Sequence, residues 1–162
     1  MLHRTYDSQT CSAARALEVV GERWTLLILR DALLGVRRFD DFQASLGIAR
    51  NVLADRLGRL VEAGVLEKRV YSEKPLRNEY RLTEKGLDLW PVLHALLAWG
   101  DKHDAPDGPP ARFEHRDCGG AVDDHRMCER CGKALDVRDV RTVPGPGAGD
   151  RPWGMLRELS AR

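Results

Sequence analysis

"GIARNVLADRLGRLVEAG", residues 47–64, is the stretch on which the reading of this chain turns. Leu53, Leu57 and Leu60 recur at helical spacing, and glycines close both ends, so it reads as one short amphipathic helix. Arg50, Asn51, Arg56 and Arg59 point elsewhere, and a basic strand-like segment, "VLEKRVY", follows at once. A solvated face is the default for any amphipathic helix, so the neighbours must say what this polar side touches.

Upstream, "SAARALEVV" (12–20) and "WTLLILRDALL" (24–34) read as two helices broken by "GER". The second is apolar almost all round, which predicts a buried central helix. "FDDFQASL" (39–46) spaces Phe39, Phe42 and Leu46 at helical intervals and stops at Gly47, and a further helix is expected from the opening stretch. Downstream, "VLEKRVYS" and "RNEYRLT" alternate in strand fashion around "EKPL", which predicts a β-hairpin with a proline at its tip. A helix from about Thr83 to Trp99 comes next, apolar on two sides and kinked or broken at Pro91. Its second apolar side is expected to lie against another copy of the chain, although packing on the first two helices would also bury it.

Helix, three-residue turn with glycine, helix is the helix-turn-helix arrangement. The first helix braces the second, whose N-terminal end projects polar side chains and free N–H groups suited to phosphates. The forked groups of Arg50 and Asn51, in the first turn, match guanine and adenine edges in the major groove. Arg56 and Arg59 are placed on phosphates, and Arg69, Lys74 and Arg77 on a wing along the DNA backbone or in the minor groove. The competing reading of any single arginine is a surface salt bridge, such as Arg59 with Asp55 or Glu62. Between Ile48 and Leu82 there are eight Lys/Arg against five Asp/Glu, although the whole chain of 162 residues carries a formal charge of only +1.

Taken together, "GERWTLLILRDAL", "RRFDDFQASLGIARNVLADRLGRLVEAGVLEKRVY" and "LRNEYRLTEKGLDLWPVLHALLAWG" resemble the HxlR-type family of bacterial winged helix-turn-helix regulators from Cys11 to about Gly100. Arg38-Phe39, Gly47-Ile48, Arg56-Leu57, the run Tyr80–Thr83 and Trp99 fall where that family has them. The resemblance implies a homodimer bound to double-stranded DNA, acting as repressor or activator; a repressor on an inverted repeat is expected, and Arg38 joins the DNA-contacting set. It also implies a sensor of redox state or of an electrophilic small-molecule effector at the position of Cys11, against which stands ordinary packing at a helix start. Ala49 departs from the serine the family uses to cap the recognition helix.

The remainder lies outside that family pattern. "HRDCGGAVDDHRMCERCGK" offers His115-x2-Cys118 and Cys128-x2-Cys131, each pair followed by glycine, which is the form of a zinc knuckle. His115, Cys118, Cys128 and Cys131 would close a tetrahedral structural zinc site, with His125 as the alternative imidazole. Free thiols or a Cys128–Cys131 redox pair are the competing readings. A segment this poor in apolar residues needs a staple to fold, which favours metal.

The expected fold is mainly α with a small β-hairpin, an α+β winged helix-turn-helix domain carrying a small zinc-ribbon-like appendage. Its expected parts are residues 1–104 for DNA binding and dimerisation, a linker over 105–112, the zinc segment over 113–141, and a flexible tail over 142–162 with a short amphipathic end, "WGMLREL". No run is long and apolar enough for a membrane span and the start lacks a signal-peptide core, so a cytoplasmic protein is expected. Catalytic spacings, phosphate loops and paired carboxylates are missing, which argues against an enzyme. A winged helix serving only as a protein-interaction module is the alternative, but such a module has no need of Arg50, Asn51 and a basic wing together.

Overall fold

The computed structural model describes Tyr6 and residues 9–149. The helix expected in the opening stretch and the amphipathic end "WGMLREL" fall mostly or wholly outside them. The chain divides into two compact units, which part at Gly86/Leu87: the first runs to Ala32 and over Val36–Gly86, and the second takes Leu33–Gly35 and everything from Leu87. The expected linker is not where they part, and its last two residues already belong to a strand that begins at Ala111.

The first unit contains α1 (Ser12–Val20), α2 (Thr25–Leu33), α3 (Phe39–Leu46), α4 (Arg50–Glu62), β1 (Leu66–Glu73) and β2 (Leu76–Leu82), followed by the short α5 (Glu84–Leu87). Its core draws on most of these elements: Ile28 and Leu29, Phe42 and Ile48, Leu53, Leu57 and Leu60, Val65 and Leu66 are all buried. α2 is central as expected, although Leu27 stays exposed on one side.

Gly47 ends α3 in the left-handed conformation, φ 62°, and its N–H reaches Gln43 O at 2.9 Å, so the chain reverses sharply into α4. β1 and β2 pair antiparallel from Leu66↔Leu82 to Glu73↔Leu76, with an irregularity between Val70 and Ser72. Arg38 bridges Glu79, and Tyr80 N–H donates to Arg37 O at 2.7 Å, which adds a short third strand to the wing. Thr83 closes the hairpin by donating to Gly64 O at 2.6 Å and accepting from Gly86 N–H at 3.2 Å, the N-cap bond of α5. Any side chain at Gly86 would strike Val65 O, so glycine is required there.

The second unit contains α6 (Trp90–His103), β3 (Ala111–His115) and β4 (Val140–Pro144). Pro91 lies in the first turn of α6, where its missing N–H costs nothing, so the break expected at this proline falls just before it. β3 and β4 pair antiparallel from Ala111↔Pro144 to His115↔Val140. Trp90, Cys128, Leu135 and Val140 form the buried cluster, flanked by Phe113, Cys118, Val122 and Val137. The fold is a mixed α+β winged helix-turn-helix with a Cys/His cluster toward its C-terminal end.

Candidate nucleic-acid interface and metal centre

The first turn of α4 is bare. Ala49 occupies its N-cap with no side-chain hydrogen bond, so the N-terminal N–H groups keep their donor capacity. Asn51 is exposed and holds no side-chain partner among the described residues. Arg50 is exposed too, but it leans back on α3: its guanidinium lies 4.7 Å from the Phe39 ring centroid, 3.2 Å from Asp40 Oδ1 and 3.4 Å from Gln43 Oε1. These are solvent-exposed contacts of small strength, which a phosphate or base edge could replace.

Further along α4 the expected roles divide. Arg56 is turned inward, with its side chain only 16% exposed. It donates to Glu22 Oε2 at 2.9 Å, to Arg23 O at 3.2 Å and to Asp55. It therefore ties α4 to the turn between α1 and α2, and it holds a strained backbone: Trp24, the next residue, has φ 79°. The periodicity of α4 carried no sign of this, because Glu22 and Arg23 lie more than thirty residues away. Arg59 is exposed, 3.2 Å from Asp55 and 3.8 Å from Glu22, so the ion pair with Asp55 weighed from the sequence does form, while Glu62 takes no part.

In the wing, Lys74 and Arg77 are exposed at the tip, and neither has an ion-pair partner among the described residues. Arg69 pairs with Glu67 at 2.5 Å, and Arg38 covers the Tyr71 ring at 4.7 Å. Lys68, exposed on β1 and without an ion-pair partner among the described residues, is a further cation that the sequence reading passed over. Cys11 is exposed at the N-cap of α1, where its Sγ accepts from Ala14 N–H at 3.4 Å.

In the second unit, His115, Cys118, Cys128 and Cys131 come together with their ligand atoms all within 4.8 Å of one another. His115 Nδ1 lies 3.2 Å from Cys118 Sγ and 3.4 Å from Cys131 Sγ, and Cys118 Sγ lies 3.4 Å from Cys128 Sγ. His125 takes no part; it is exposed, and its backbone N–H donates to Asp123 Oδ1 at 2.9 Å. Gly119 and Gly132, each directly after a cysteine, adopt φ 67° and 70°, the left-handed turn that folds each knuckle back on its sulfurs. Gly120 is as constrained: a Cβ there would lie 2.5 Å from Cys128 Sγ.

Burial opposes ionisation of the Cys128 thiol. The N–H groups of Cys131 and Arg130 aimed at it, joined by the Cys118 and Cys131 thiols, outweigh that and bring it down to about 6. On the far side of the imidazole, His115 Nε2 lies 3.4 Å from the exposed Asp117 carboxylate, close enough for an ion pair but without a formed hydrogen bond. The donor set of three thiolates and one imidazole could hold a metal ion and leaves no open position for catalysis.

The profile of a family described as HxlR-like helix-turn-helix matches residues 19–107. Rv3095 of Mycobacterium tuberculosis, named as an uncharacterized HTH-type transcriptional regulator, is 49% identical over 137 residues, or 84% of this chain and 87% of that protein. A span of that length cannot leave out His115–Cys131. The solved structure of PA1607 is 42% identical with a TM-score of 0.67, covering 84% of this chain and 96% of that one. The redox regulator HypR in its reduced form is 28% identical with a TM-score of 0.54, covering 57% of this chain and 92% of that one. Rv3095 and HypR are named as regulators, not enzymes, and among the described residues no helix is long and apolar enough to cross a membrane.

Proposed function

The chain belongs to the HxlR-like helix-turn-helix family of transcriptional regulators, and on that premise we propose that it binds an inverted-repeat operator as a homodimer in the cytoplasm. The observation that carries this reading is the uncapped first turn of α4, with Arg50 and Asn51 exposed, together with the unpaired Lys74 and Arg77 of the wing. Arg50 and Asn51 read base edges; Arg38, Arg59, Lys74 and Arg77 meet the backbone. Arg56 positions α4 from within and is left out of the contact set. Val92, Leu96 and Trp99 support the dimer: they repeat at helical spacing on α6 and remain 50%, 49% and 60% exposed.

Zinc is the ion proposed for the Cys/His cluster. Tetrahedral zinc with its usual bond lengths sets ligand atoms about 3.6–3.8 Å apart, and the observed separations of 3.2–3.4 Å, with none beyond 4.8 Å, bracket that spacing. Bound there, zinc supplies the folding energy of the second unit. Cys11, exposed at a helix N-terminus, is the proposed thiol sensor, a role consistent with HypR being named a redox regulator.

Genomic-fragment selection with the purified protein tests the reading. It should recover an inverted repeat whose half-sites lie about 10 bp apart or slightly wider. Leu96→Glu should yield a monomer that no longer retards the recovered fragment. No enriched sequence at low salt, or a monomeric wild type that retards DNA as well as a dimer would, overturns it.

A further inference from the structure

The face of α6 opposite Val92, Leu96 and Trp99 carries Trp90, Leu93, His94, Leu97 and Asp101 at helical spacing. Beside it, wholly within the second unit, lies a cavity of about 600 Å³ lined by His94, Leu97, Asp101, Phe113, Val122 and Asp124. That volume lies within the range of small-molecule sites, and no role assigned above uses it.

Three features of its lining converge on one kind of ligand. His94 is only 4% exposed, with its ring centroid 5.1 Å from Trp90 and 5.7 Å from Phe113, yet its Nδ1 has no hydrogen-bond partner among the described residues. A buried imidazole nitrogen in that position is a polar group kept for something. Burial, then Arg126, hold its pKa below the usual histidine value, so the ring is neutral and adds no positive charge to the cavity.

Asp101, from α6, and Asp124, from the loop between Cys118 and Cys128, face the same hollow. Burial, and after it the charge of Asp124, hold the Asp101 carboxyl above the usual carboxylate range. Glu129 adds a third acid, and Lys102 and Arg112 also line the cavity; these three and Asp124 are all exposed, so the lining carries three acids against two bases and Asp101 is its one half-buried charge. Leu97, Phe113 and Val122 supply an apolar wall.

We propose that this cavity is an effector site for an amphipathic organic cation, an arylalkylamine of one or two rings. Its rings lie on Leu97, Phe113 and Val122, its ammonium sits between Asp101 and Asp124, and one N–H is given to His94 Nδ1. An anion would meet the half-buried Asp101 and an excess of one acid over the bases of the lining, and a neutral molecule would leave Asp101 without a counter-charge. The zinc knuckle carries Val122 and Asp124, so the appended segment completes a pocket that α6 alone could not form. The role as an effector rests on the regulator reading, whereas binding itself does not.

The test uses full-length, zinc-loaded protein without DNA, so its outcome is separate from that of the operator selection. Naphthylethylamine, naphthylethanol and naphthylacetate share one ring system and differ in charge. By calorimetry the amine should bind once per chain, about tenfold tighter than the alcohol and tighter still than the acetate. Asp101→Asn and Asp124→Asn, both outside the core, should each remove most of that preference, and His94→Gln should weaken the amine alone. Methyl resonances of Leu97 and Val122 should move on titration in the wild type. Equal affinity for the three probes overturns the proposal, as does amine binding that is indifferent to both aspartate substitutions or leaves those methyls unmoved.

Discussion

Metal removal is the perturbation that presses hardest on this structure, because the two compact units are very unequally provided with core. Among the described residues, the first unit buries twelve hydrophobic side chains and the second only five: Trp90, Leu93, Cys128, Leu135 and Val140. One of those five, Cys128, is itself a candidate ligand, packed with Trp90, Leu135 and Val140. Zinc bound by such a set contributes about 10–16 kcal/mol of folding free energy, which equals or exceeds the roughly 5–15 kcal/mol net stability of a whole domain. The second unit should therefore unfold when the ion is taken, while the first keeps its own core.

Elemental analysis should find about one zinc per chain. A strong chelator should then shift tryptophan emission to the red as Trp90 meets water, open the chain to protease after Leu87, and free Cys118, Cys128 and Cys131 to thiol reagents. Amides of α4 around Leu53, Leu57 and Leu60 should stay protected from exchange. The reach of the effect distinguishes this from a loosely attached appendage: α6 belongs to the second unit, so its helical signal, and with it the proposed dimer, should fall as well. Metal-free protein prepared under reducing conditions, with four titratable thiols and unchanged emission and protease pattern, would refute the reasoning.

Asn51→Ala should cost about 1–3 kcal/mol in operator binding and relax preference at one position per half-site. Arg77→Ala should instead weaken specific and non-specific binding alike and lower the salt slope by about one unit; retardation at several salt concentrations separates the two. Arg56→Ala should lower the melting stability by about 1–3 kcal/mol, since it breaks charge-assisted bonds to Glu22 and Asp55 and frees the Trp24 turn. Sequence preference in that variant should be unchanged, and a lost preference at normal stability would return Arg56 to the interface. Diamide should release DNA from the wild type and leave Cys11→Ser bound, measured on the same fragment; equal release from both proteins would discard Cys11 as the sensor.

The sequence by itself determined what depends on near neighbours. Apolar spacing placed α3 and α4 to within a residue or so, the glycines at 47 and 64 marked their ends, and strand alternation around Pro75 placed the wing. The ligand pairs two residues apart pointed to the Cys/His cluster, because knuckle geometry is set by backbone turns of a few residues. Only the tertiary structure decided what depends on distant partners. Arg56 and Arg59 look equivalent along α4, and it is the turn at Glu22 and Arg23 that draws Arg56 inward. His115 and His125 both sit within reach of the cysteines in sequence, and it is the β3–β4 pairing that buries His115 beside them. α6 reads as the last helix of the winged domain, but a helix apolar on two sides does not record which face meets which partner. Burial of Trp90 against Cys128, Leu135 and Val140 assigns it to the unit that carries the Cys/His cluster, since burial is a property of the assembled chain and not of any one segment.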